Sequence, residues 1–151
     1  MEDWPDENYA DLTKKPWADF LVNRAKTLRK RGFDGYWCDN IDVCEYYPSE
    51  KMRTACIDIL KKIKAVGGYV MINGGSKFLE KCDKKKIDPK VFVDGYTQEE
   101  VFSRITSYSG KGKFGRQHKD ETSYYKKIIK LANSKKMHTF LLEYTKDEKV
   151  I

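Results

Sequence analysis

The sequence predicts an α/β domain in which parallel strands alternate with amphipathic helices. Short apolar runs recur along it: Tyr36-Trp37-Cys38, Tyr69-Val70-Met71-Ile72, Val91-Phe92-Val93 and His138 to Leu142. The segments between them repeat apolar residues at the helical period of about 3.6. Each run also leads to polar residues at its C-terminal end: Asp39 and Asp42, Asn73, Glu99, Glu143. Continuous apolar strands joined by helices imply a parallel sheet covered on both faces.

The elements follow in order. Thr13 and Pro16 open a helix whose apolar positions are Trp17, Phe20, Leu21, Ala25 and Leu28, and Gly32 stops it. The strand at Tyr36–Cys38 comes next. Ser49 caps a helix with Met52, Cys56, Ile59, Leu60, Ile63 and Val66 on one face, closed by Gly67-Gly68. The second strand ends at Asn73-Gly74-Gly75 and is followed by a short helix near Lys77 to Cys82. The third strand, Val91-Phe92-Val93, runs on toward Gln98-Glu99. GKGKFGRQ reads as a flexible rim loop, because it does not lead from a strand into a helix as a phosphate loop does. A helix from about Glu121 to Ser134 precedes the last strand, which ends at Glu143-Tyr144.

Composition bounds the function. The chain has 151 residues, enough for one domain, and no apolar run long enough to span a membrane. Its start, MEDWPDENYADL, is acidic and aromatic, unlike a secretory signal; if a longer parent is exported, its signal lies elsewhere. The net charge of +7 comes from lysines and arginines spread over helices and loops, which reads as a solvated surface rather than a nucleic-acid footprint. Cys38, Cys44, Cys56 and Cys82 form no CxxC pair, and the 2 histidines fall at no zinc-like spacing. No metal or other cofactor is expected, and a disulfide cannot be assigned. Any chemistry therefore rests on carboxylates.

Parallel strands point one way, so the residues at their C-terminal ends converge on one rim, where α/β enzymes set their active sites. The candidates are Asp39, Asp42, Asn73, Glu99, Glu143 and Tyr144. Asp11, closing a short strand at Asn8 to Ala10, joins them. Paired acids beside aromatic rings suit sugar cleavage: acids transfer protons or attack, and rings offer apolar faces to pyranoses. Tyr46 and Tyr47 are the stacking candidates, whereas Trp37, inside a strand, reads as core. Simpler roles compete. Asp39 can cap the following turn, Asp42 can order its loop, Glu100 competes with Glu99, and Asn73 can bond its own backbone.

Five motifs carry a family resemblance: EDWPDENYADL at 2–12, GFDGYWCDNIDVCEYY at 32–47, YVMINGG at 69–75, DGYTQEEVFS at 94–103 and FLLEYT at 140–145. In this order, over most of the chain, they resemble the endo-α-1,4-polygalactosaminidases of glycoside hydrolase family 114. The GFDG-x-x-x-DN-x-D block is the most specific of them. The resemblance implies a (β/α)8 TIM barrel, a polysaccharide substrate of α-1,4-linked galactosamine type, and a catalytic pair of Asp39 and Glu99. Glu99 would donate the proton, and Asp39 would be the nucleophile or base. Asn40 and Asp42 would hydrogen-bond sugar hydroxyls or amines. Asp11, Tyr46, Asn73, Glu143 and Tyr144 would line the substrate cleft.

A complete barrel of this kind takes roughly 250 residues, about 200 at the least. The expected architecture is therefore an incomplete (β/α)8 barrel of about four to five βα units, one partial domain over 1–151. Two unclosed apolar edges would invite self-association. Two other readings stay open: a carbohydrate-binding protein without turnover, and a small α/β domain that binds an anionic ligand through its lysines in a salt-dependent manner.

Overall fold

The computed structural model describes residues 8–108 and 112–146. Its elements are α1 (Lys15–Lys30), β1 (Gly35–Cys38), α2 (Val43–Tyr46), α3 (Glu50–Val66), β2 (Tyr69–Asn73), α4 (Ser76–Lys84), a 3-10 turn (Pro89–Val91), β3 (Gly95–Glu99), β4 (Ser103–Ser107), β5 (Lys113–Arg116), α5 (Lys119–Ser134) and β6 (His138–Leu142). Local chemistry sets the boundaries. Pro16 occupies the first turn of α1, where its missing N–H leaves no bond unmade. The Ser49 hydroxyl accepts from Met52 N at 3.0 Å and starts α3. Gly67, at φ +95°, ends it.

β1, β2, β3 and β6 lie side by side in that order, all parallel. One row across the sheet reads Cys38, Ile72, Tyr96, Thr139, and the adjacent row reads Trp37, Met71, Gly95, His138. Side chains alternate across a strand, so the two rows face opposite sides. On the outer side, Val70, Ile72 and Tyr96 are fully buried in one core with Cys56, Leu60 and Ile63 of α3, Phe78 and Leu79 of α4, and Ile128 of α5. On the inner side, Trp37 is 56% exposed and Phe140 49%.

The expectation of helices on both faces is thus corrected. They cover one face only, so the sheet is a wall, and β1 and β6 are its two edges among the described residues. This is an α/β parallel wall of an unclosed barrel. Low on the inner face, Gly95 leaves room for the Tyr69 ring, whose hydroxyl lies 2.8 Å from His138 Nδ1.

Three local expectations change. Val91-Phe92-Val93 is not a strand: Asp88 Oδ1 accepts from Lys90 N at 3.0 Å and Val93 N bonds back to Pro89 O at 2.8 Å, which winds the run into a turn before β3 that buries Phe92 and Val93 and leaves Val91 exposed. Part of the Gly/Lys run is not a loop, since Lys113–Arg116 pairs antiparallel with Ser103–Ser107. Residues 8–10 form no strand. Residues 2–7 of the first motif and 110–111 of the glycine-rich run lie outside the described residues. The four cysteines are free thiols, and burial raises that of Cys38 to about 11. Among the described residues no helix is long and apolar enough to cross a membrane.

Candidate active site

Each of the four neighbouring strands brings one inward-facing side chain to the C-terminal rim: Asp39 after β1, Asn73 ending β2, Glu99 ending β3, and Tyr144 just past β6. They form one hydrogen-bonded chain. Asn73 Nδ2 donates to Asp39 Oδ1 at 2.9 Å and to Glu99 Oε1 at 2.7 Å, and Tyr144 donates its hydroxyl to Glu99 Oε2 at 2.7 Å. Asn40 N also donates to Asp39 Oδ1, at 2.9 Å. Asn40 takes a left-handed φ of +58° to do so, a conformation asparagine tolerates better than most residues. Asp39 Oδ2 has no hydrogen-bond partner among the described residues.

The orientation of the Asn73 amide follows from its neighbours. Two carboxylates demand its N–H groups, so its oxygen points away, where it is buried without a partner. An orphaned buried acceptor costs about 1–3 kcal/mol. Its strand neighbour Thr97 likewise buries an unpartnered hydroxyl. Polar groups left unsatisfied this way mark a place shaped for something other than stability.

These residues border a polar cleft of about 920 Å3. Carboxylates dominate it: Asp39, Asp42, Glu45, Glu99 and Glu100 line it, against the one ammonium of Lys77 among the described lining residues. Lys77 is itself paired with Glu45, Nζ to Oε2 at 3.4 Å. Asp42 Oδ1 accepts from Gly75 N at 2.8 Å, and burial raises its pKa above the usual carboxylate range, the Gly75 N–H opposing in part. Gly74 (φ +68°) lies against that carboxylate, where a Cβ would collide with it. Glu100 accepts from Ile105 N at 2.8 Å and is also raised by burial. Burial, then the Glu99 carboxylate, raises the Tyr144 hydroxyl, so it stays a donor at neutral pH.

The structure gathers Asp39, Asn40, Asp42, Tyr46, Asn73, Glu99 and Tyr144 around the cleft. It does not bring Asp11 or Glu143 there. Asp11 Oδ1 accepts from Thr13 N and Thr13 Oγ1 at 2.9 and 2.6 Å, which shapes the turn into α1. The Glu143 carboxylate is surrounded by Val101 N, Phe102 N, Ser103 N and Ser103 Oγ at 2.6–3.2 Å, and Ser103 Oγ accepts in turn from Tyr144 N at 2.9 Å. Glu143 thus holds the loop after β3 and sets the position of Tyr144.

Sequence reasoning missed Tyr9, Glu45, Tyr108 and Tyr125 as cleft residues. Tyr9 was visible only as part of an aromatic opening, and its ring packs on Tyr46 and Tyr47 at 5.0 and 5.4 Å. Tyr125 reaches the rim from α5, and burial pushes its hydroxyl up to about 12. Among the described residues no cluster of three or more acids, cysteines or histidines is placed to hold a metal ion.

The fold is similar to solved glycoside hydrolase structures. The glycoside hydrolase domain of PelA from Pseudomonas aeruginosa superposes with a TM-score of 0.71 at 19% identity, over 92% of this chain and 53% of that one. A single-residue variant of the same domain gives 0.72 at 18% identity, over 89% and 52%. The chain therefore spans about half the length of the structures it matches. No family model matches it, and no curated protein does.

Proposed function

We propose that the chain carries the catalytic wall of a retaining glycoside hydrolase acting on an α-1,4-linked galactosamine-type polysaccharide. The observation that supports this best is the Asn73 amide shared by two carboxylates. Its two hydrogen bonds, 2.9 and 2.7 Å long, hold Asp39 Oδ1 and Glu99 Oε1 to one nitrogen, so these amide-bound oxygens lie at most about 5.6 Å apart, the sum of the two, and the reacting Oδ2 and Oε2 project from them into the cleft. Retaining enzymes separate their carboxyl groups by about 5–5.5 Å and inverting enzymes by about 6.5–9.5 Å.

Donor chemistry divides the roles. An amide N–H only donates, so Glu99 Oε1 can only accept and the acid form of Glu99 carries its proton on Oε2. Tyr144 sits at that oxygen, and its hydroxyl, keeping its own proton, can donate a hydrogen bond to the carboxylate or accept one from the acid. Glu99 would protonate the leaving glycosidic oxygen while Asp39 Oδ2, which accepts no hydrogen bond among the described residues, attacks the anomeric carbon. Water, deprotonated by Glu99, would then release the sugar with its anomeric configuration kept. The excess of carboxylates in the cleft suits a polymer bearing ammonium groups, and the exposed Tyr46 ring offers a stacking face.

The test is release of reducing ends from α-1,4-polygalactosamine, with NMR of the first product. An α product supports the proposal, a β product sinks the retaining assignment, and no release rejects activity in this chain. The open wall favours a second reading, in which the chain binds such a polymer without cleaving it. Binding without release would establish that one.

A further inference from the structure

Among the described residues, β1 leaves one edge of the sheet unpaired and β6 the other. The β1 edge is recessed. A groove of about 410 Å3 is bordered by Trp37 from the inner face, by Tyr36 and Cys38 from the outer face, by Leu21 and Leu28 of α1, and by Tyr9 of the segment that leads into α1. Residues from both faces of one strand can border a single hollow only along the strand's edge. α1 forms its roof, so the hollow has the form of a seat for one more strand.

The other edge has what such a seat needs. Phe140 and Leu141 point to opposite faces of β6 and are 49% and 47% exposed, and no carboxylate or ammonium occurs from His138 to Leu142. All four strands are parallel, so β6 of a second copy can lie beside β1 in the direction of every other strand. The sheet already follows half of a closed barrel, as its superposition on the solved domain shows.

We propose that two copies of this chain close a single eight-stranded barrel, β6 of each seated in the β1 groove of the other about a two-fold axis along the barrel. Such an axis makes the two seams identical, so one pairing satisfies all four edges. It also fixes the register. A shear of about 8 residues around a full barrel is a shift of about four over half of it. Within one copy Cys38 shares its row with Thr139. Moved by that shift, Phe140 faces Gly35 of the second copy, Leu141 faces Tyr36, and Leu142 faces Trp37. The shift is even, so inward residues meet inward ones. This pairing does not depend on the chemistry proposed for the cleft.

Light scattering on the full chain at micromolar concentration measures the assembly. The expected mass is twice the 17.7 kDa of one chain. Phe140→Glu, at a half-exposed position, should give the single-chain mass with an unchanged far-UV spectrum. Trp37→Cys mixed with Leu142→Cys under mild oxidant should give an interchain 37–142 disulfide, which peptide mapping separates from the native cysteines. A wild-type single-chain mass would overturn the proposal. So would a ladder of species that does not stop at two, a dimer that survives Phe140→Glu, or a dimer without the 37–142 link.

Discussion

Asn73 and Glu99, ending adjacent strands, are joined by a 2.7 Å hydrogen bond from Nδ2 to Oε1, and the second N–H of the same amide is committed to Asp39. One neutral side chain thus spaces two acids that would otherwise repel, at the cost of its own unpartnered oxygen.

If Asp39 and Glu99 are the reacting pair, Asp39→Asn and Glu99→Gln should each lower sugar release by about 10²–10⁴-fold with the circular dichroism unchanged. A folded variant of either kind with full activity removes that residue from the chemistry.

Asn73→Asp replaces the shared donor by a third carboxylate. The folded state should then favour the protonated form of the cluster, so the added stability is present in acid and lost as pH rises. The melting temperature of Asn73→Asp should fall more steeply than that of the wild type between about pH 4 and 7. Parallel curves would show that the amide is not a required donor.

Asp42 gives a second pH signature. Burial holds its folded pKa above the unfolded value. Its contribution to stability is therefore full below the unfolded pKa and fades as pH rises through the folded one. Asp42→Asn keeps an oxygen for Gly75 N and removes the ionisation. Urea midpoints of the variant should vary less across that range, and an unchanged slope would assign the dependence to another group.

Glu143→Gln should lower the unfolding free energy by about 1.5–3 kcal/mol, the worth of hydrogen bonds to a charged group. It should also weaken sugar release through Tyr144, whose amide is tied to Ser103 Oγ. Wild-type stability in that variant would contradict the role given to Glu143.

The sequence made α1, α3, α4, α5 and three of the four wall strands legible because they carry local signals such as the Ser49 cap, the Gly67-Gly68 stop and the apolar runs of β1, β2 and β6, whereas the one-turn α2 carries none. β3 was displaced because its strand proper, Gly95–Glu99, is polar and gains its burial from neighbours, while the apolar Val91-Phe92-Val93 before it is bent by Pro89 and Asp88. The rim acids were legible from strand direction alone. What local pattern could not carry was the use of each acid. Glu143 and Asp42 bond backbone N–H groups on segments 40 and 33 residues away, and Glu45 bonds Lys77 N 32 residues away.

Asp39, Asn73, Glu99 and Tyr144 come from laterally adjacent strands, so every proposed reacting group stands on one side of the cleft. In the two-copy barrel proposed above, the wall that faces them is the same wall of the second copy, so the cleft would hold two acid pairs related by the two-fold axis. A polymer crossing the cleft in either direction would then present its bonds in the same sense to one pair or the other.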